Sequence, residues 1–168
     1  MTAQRQERNG LRSRRTFIAL LAGIGAHLVP AIPSGAATTE RLVADRYTGL
    51  AIGGFDPVAY FTDARPMAGR PGLELSEAGA VWRFRNEGNR AFFLAHPEIY
   101  GPQFGGYDPV DVARGVAFAG DPRLWLIAGQ RLYLFGRNES RDVFAADPAR
   151  FVRDANRRWP DVKATLAE

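Results

Sequence analysis

The chain has 168 residues, enough for one domain and an appendage, and its 46% hydrophobic and 24% charged residues are ordinary globular values that exclude wholesale disorder. Its formal charge of +4 sits at one end. Residues 1–36 carry Arg5, Arg8, Arg12, Arg14 and Arg15 against Glu7; taking those five from 22 basic and that one from 18 acidic side chains leaves 17 of each in the rest. A neutral body excludes a phosphate-binding surface, so no nucleic-acid partner is expected, and the absence of cysteine excludes disulfides, thiolate metal sites and thiol nucleophiles.

Residues 1–36 read as an export signal. A basic stretch precedes the modest apolar run Thr16–Ala26, which His27 and Pro30 interrupt, and Ser34-Gly35-Ala36 supplies small residues for cleavage before Ala37. The apolar run is too short for a stable membrane span, which takes about 20 such residues. Ser13-Arg14-Arg15-Thr16-Phe17-Ile18 resembles the twin-arginine signal pattern, with Arg14 and Arg15 as the pair that is read. The resemblance implies the twin-arginine translocase as an export partner and a periplasmic or secreted location.

Residues 37–47 form an extended lead-in, 48–160 the folded body and 161–168 a C-terminal tail. Within the body, Gly53-Gly54-Phe55-Asp56-Pro57-Val58 recurs as Gly105-Gly106-Tyr107-Asp108-Pro109-Val110, 52 residues on. Trp82-Arg83-Phe84 with Arg90, Phe93, Ala95 and Pro97 is likewise echoed by Tyr133-Leu134-Phe135 with Arg141, Phe144, Ala146 and Pro148, 51 residues on. Two repeat units, about 53–100 and 105–151, are therefore expected. In each, a Gly-Gly turn leads to a strand (Val81–Arg85, Arg131–Phe135) and a short helix. Leu124–Ile127 should pair back on Arg131–Phe135 through Ala128-Gly129-Gln130.

Asn86 and Asn138 are read as helix N-caps, with Glu87 and Glu139 favoured in the first turn. Phe92, Phe93 and Ala95 of one helix, and Val143, Phe144 and Ala146 of the other, are expected to face inward. Pro97 and Pro148 should end those helices and start others, and residues 149–158 should form a basic helix closing on Trp159-Pro160. The sum is an α+β fold: a small domain of short antiparallel hairpins and helices, built from two ββα repeats around an aromatic core. Phe55, Tyr60, Phe61, Trp82, Phe84, Phe93, Trp125, Phe135 and Phe144 are its expected members.

The chemistry-bearing residues are few. The body holds one histidine, His96, and two serines, Ser76 and Ser140, neither with a local partner for nucleophilic catalysis. No phosphate-loop, dinucleotide, G-x-S-x-G or H-E-x-x-H motif occurs. The expected ligand site is the junction of the repeats, around Asp56, Tyr60, His96, Tyr107 and Asp108. There, carboxylates, phenols and an imidazole would give a wall with polar tips. The carboxylates, joined by Asp111 or Asp121, are the residues that would hold a hard cation. Arg90 and Arg141, at equivalent helix positions, are candidate anion contacts. Asp56 and Asp108 also have a structural reading as Asx turns before proline.

Gly54–Phe61, Trp82-Arg83-Phe84, Asn89-Arg90, Phe93–Tyr100, Pro102–Tyr107 and Ala155–Pro160 together resemble the periplasmic or secreted YHS-domain proteins of bacteria, over about residues 48–160. The resemblance implies a small module related to metal-associated YHS domains. In that wider group cysteines bind the metal; this chain has Ala59 where the metal-associated relatives have Cys and Asp108 where secreted relatives often carry it, and a carboxylate does not replace a thiolate for soft metals. The functional expectation is an exported, non-catalytic YHS-like binding or accessory module for a small ligand or metal ion. The alternatives are a metal-handling protein using oxygen ligands plus His96, and a small enzyme with an Asp/His/Tyr pocket.

Overall fold

A computed structural model describes residues 41–166. The export signal, with Arg14, Arg15 and His27, and residues 37–40 of the lead-in lie outside the described residues. In chain order the elements are α1 (Ala59–Thr62), β1 (Glu74–Glu77), β2 (Ala80–Arg83), α2 (Glu87–Ala95), α3 (Pro97–Tyr100), α4 (Pro109–Val112), β3 (Asp121–Ala128), β4 (Arg131–Phe135), α5 (Asn138–Ala146) and α6 (Pro148–Ala164). The architecture is α+β, with two separate two-stranded antiparallel sheets, β1-β2 and β3-β4.

Both hairpins close through two residues with positive φ. Ala78-Gly79 (52° and 81°) joins Glu77 to its partner Ala80, and Gly129-Gln130 (54° and 56°) joins Ala128 to Arg131. Such turns match the right-handed strand twist. β1 is a strand that the sequence reading missed: Glu74, Ser76 and Glu77 are exposed, so it has no apolar alternation to betray it. The second hairpin is longer than expected, because β3 runs from Asp121 and passes an irregularity before Trp125.

β4 sits between two cores. Leu132 and Leu134 join a cluster with Tyr60, Trp82, Phe84 and Phe93, while Tyr133 and Phe135 join a second with Phe104, Tyr107, Val110 and Phe144. Successive side chains of a strand point to opposite faces, so Leu132-Tyr133-Leu134-Phe135, apolar throughout, is buried on both. Rings make much of the contact. Phe93 packs on Trp82 and Phe84 with centroids 4.7 and 5.4 Å away, and Phe144 packs on Tyr133 and Phe135 at 4.9 and 5.2 Å. Of the expected core aromatics, Phe55, Phe61 and Trp125 lie at its edge, partly buried.

The helices bear several corrections. Asn86 caps α2, its side chain accepting from the Asn89 N–H at 2.8 Å. Asn138, however, is the first helical residue of α5, and Arg137 stands at the N-cap with no side-chain cap bond. The Arg137 guanidinium is drawn instead to Asp111, 2.5 Å away, and lies over the Phe118 ring. Phe93 and Phe144 face inward as expected, but Phe92, Ala95, Val143 and Ala146 are exposed. The inner positions one turn earlier are polar, Asn89 and Ser140, because residues four apart share a helix face. Pro97 and Pro148 do open new helices. The last one passes Pro160 and reaches Ala164, so residues 161–164 of the expected tail are helical. Burial of Val162 and packing of Leu166 against the second core oppose the cost of an interior proline.

The lead-in ties the two Gly-Gly turns together. Val43 donates its N–H to the Gly105 carbonyl at 2.7 Å and accepts from the Ile52 N–H at 3.1 Å. Ile52-Gly53-Gly54 and Phe104-Gly105-Gly106 each hold three consecutive residues at positive φ, a left-handed turn that glycine makes accessible. A Cβ on Gly105 would lie 2.1 Å from the Arg41 carbonyl oxygen, so that approach requires glycine.

Candidate functional site

Asp56 and Asp108 are fully buried, and each is spent inside its own surroundings. One Asp56 oxygen accepts from the Val58 N–H at 2.9 Å; the other accepts from the Arg85 N–H at 2.8 Å and the Asn89 side-chain amide at 2.7 Å. One Asp108 oxygen accepts from the Val110 N–H at 2.9 Å and the other from the Gly136 N–H at 2.9 Å. Each carboxylate therefore closes an Asx turn at the start of a one-turn helix and pins the chain that leaves the hairpin behind it.

The remaining expected site residues are dispersed. Tyr60 is buried, donates its hydroxyl to the Pro122 carbonyl at 2.8 Å and meets Trp125 edge-on. Burial pushes its phenol well above the ordinary range, and the charges of Asp121 and Asp56 add to that. Tyr107 is buried beside Trp159, with ring centroids 6.2 Å apart. His96 is instead exposed at the C-terminal end of α2, 3.5 Å from Glu98. Arg90 pairs with Glu87 at 2.8 Å and Arg141 with Asp142 at 3.3 Å, both at the surface. Such exposed pairs are weak and leave no anion clamp in evidence.

The metal implied by the family resemblance does not fit these donors. Ala59 offers a buried methyl, and the oxygens of Asp56 and Asp108 already hold N–H groups. Among the described residues no group of three His, Cys, Asp or Glu side chains is placed to hold a metal ion. Asp111 is nearly buried beside Arg137 and Arg114. Burial, and next the Asp108 charge, raise its carboxyl above the usual value although both arginines oppose the shift.

Among the described residues, two of the concavities have room for a small molecule of some size. One, of about 580 Å³, is lined by Arg41, Leu42, Ala78–Ala80, Gly105, Trp159 and Lys163. The other, a basin of about 720 Å³, lies where the β3–β4 turn meets α6, against Gln103, Arg131, Tyr133, Pro148, Val152, Arg153 and Asn156. Neither is lined by Asp56, Tyr60, His96, Tyr107 or Asp108. Sequence reasoning missed the basin because its residues are spread from position 103 to 156. The signal available was a tyrosine in an otherwise aliphatic and phenyl strand beside an arginine that local charges leave unbalanced. No helix among the described residues is long and apolar enough to cross a membrane. No protein-family model matches the chain, and no curated protein or solved structure resembles it significantly.

Proposed function

We propose that the chain is an exported, non-catalytic binding or accessory module made of two tandem ββα units of YHS-like type. The observation that carries the non-catalytic reading is the commitment of Asp56 and Asp108: the carboxylates best placed in the sequence for acid–base or cation chemistry have their oxygens occupied by backbone and amide N–H groups. The tandem reading is supported by bonds that recur between the units, at offsets of 52 residues for Asp56 and Gly54 and 51 for Met67 and Gly69. The Asp56 and Asp108 N–H groups donate to the Met67 and Phe118 carbonyls, both at 2.8 Å, and the Gly69 and Gly120 N–H groups donate to Gly54 and Gly106, both at 2.9 Å. Export rests on the sequence of residues 13–36.

Purification of the exported protein under native conditions, followed by native mass spectrometry and elemental analysis, tests the reading. A retained small molecule without stoichiometric metal is the expected result. A tightly held metal ion at one per chain, or catalytic turnover that survives further purification and is lost in a folded variant, overturns it. Lysine at both Arg14 and Arg15 should leave the precursor in the cytoplasm on cell fractionation; undiminished export would refute the twin-arginine assignment.

A further inference from the structure

The basin between the β3–β4 turn and α6 has the make-up of an anion site. Tyr133 is 97% buried, with its ring clamped between Phe104 and Phe144 at 6.3 and 4.9 Å. Its hydroxyl makes no hydrogen bond among the described residues, where no buried side-chain oxygen lacks a partner. The hydroxyl is therefore the part of Tyr133 that reaches solvent, and the basin is what it lines. A buried phenol whose polar tip is left open is a ready donor to a ligand.

The charge around it is one-sided. Arg131 bonds only to the backbone oxygen of Gln130, at 3.2 Å, and Arg153 makes no ion pair among the described residues. The other arginines of α6 with ion pairs, Arg150 and Arg157, share Asp154. No Asp or Glu lines the basin. Pro148 and Ala149, the first residues of the 17-residue α6, do line it, and they bring the positive end of the helix dipole. Asp147, the N-cap residue just before them, is engaged in capping, accepting from the Arg150 N–H at 3.1 Å. The rest of the wall is uncharged: Ala128, Pro148 and Val152 are apolar, and Gln103 and Asn156 add neutral amides.

We infer that this basin binds a small organic carboxylate, its anionic end held by Arg131 and Arg153 with the Tyr133 hydroxyl donating to it, and its apolar body lying on Pro148 and Val152. The inference rests on the binding-module reading and adds the ligand class and the place. A guanidinium pairs a carboxylate in a planar, two-point fashion that a neutral isostere lacks. The concavity beside Trp159 and Lys163 is the weaker candidate, since its Arg41 already has a partner.

The test is a titration of the purified isotope-labelled protein, followed by amide NMR, with sodium benzoate, neutral benzamide and inorganic phosphate as probes. Benzoate should shift Gly129, Arg131 and Val152 saturably, with benzamide and phosphate each about tenfold weaker or more. Arg131→Ala and Arg153→Ala should each weaken benzoate about tenfold, the scale of one charge-assisted contact. Tyr133→Phe keeps the ring and should weaken it several-fold with the same residues shifted. Equal binding of benzamide, benzoate binding unaffected by both arginine variants, or no saturation by about 10 mM, weaker than the weakest useful affinity, overturns the inference. Benzoate shifts gathered at Arg41, Trp159 and Lys163 overturn it too, while leaving the binding-module reading standing; that reading falls only on the turnover or metal results above.

Discussion

Replacing Asp56 with asparagine isolates the role of a buried carboxylate. The amide keeps the size of the side chain but turns one acceptor into a donor. Three N–H groups converge on the two oxygens of Asp56, one on the first and two on the second. In its better orientation the amide oxygen keeps Arg85 and Asn89, and its NH2 faces the Val58 N–H. One buried donor is then orphaned, at about 1–3 kcal/mol, and the two surviving bonds lose their charge assistance, at about 1 kcal/mol each. The expected loss is about 3–5 kcal/mol, a large part of the stability of a domain this size. Asp108→Asn orphans one donor and weakens one bond, for about 2–4 kcal/mol. Urea unfolding followed by tryptophan fluorescence reads both: with a slope of about 2 kcal/mol per molar, Asp56→Asn should lower the midpoint by about 2 M. His96→Gln, at an exposed helix end, is the control and should stay within about 0.5 kcal/mol. A loss below about 1 kcal/mol for Asp56→Asn, with the fold intact, would refute the structural assignment and reopen both carboxylates to a functional role.

Truncating Phe93 or Phe144 to alanine should cost about 3–5 kcal/mol each by the same assay, whereas Phe92→Ala and Val143→Ala, one residue earlier and exposed, should cost under about 1 kcal/mol; similar losses at neighbouring positions would mean that the helix faces are wrongly assigned. Asp111 sets a pH dependence. Its carboxyl is raised in the folded state, so its protonated form is favoured there, and its contribution is present below the ordinary value of 3.8 and lost as pH rises through the folded value. Relative to Asp111→Asn, the native protein should therefore lose stability as pH rises through the mildly acidic range above 3.8, and a relative gain there would contradict the burial argument. Asp45 and Asp63, held below 3.8 chiefly by hydrogen bonds from Thr48 and Thr62, act in the opposite sense below that value and are common to both proteins.

Local chemistry made part of this molecule legible from the chain alone. Asp before Pro announces an Asx turn, Asn86 ahead of Glu87 announces a helix start, Pro97 and Pro148 restart helices, and Ala128-Gly129-Gln130 announces a hairpin. Each is decided within four or five residues, where steric and hydrogen-bond preferences operate. The α+β class and Phe93 and Phe144 as buried positions followed from the same patterns. What lay beyond reach depended on which remote segments meet. Nothing near Phe92 says that it, rather than Asn89, faces solvent; the arrival of Asp56 to take the Asn89 amide decides that. Arg137 displaces Asn138 from the N-cap because Asp111 and Phe118, about twenty residues earlier, claim its side chain. β4 is buried on both faces only because one core packs against Leu132 and Leu134 and the other against Tyr133 and Phe135. The basin is the extreme case: Gln103, Tyr133 and Arg153 come from three elements, and the burial that brings them together is a non-directional, whole-chain effect that no short window of sequence contains.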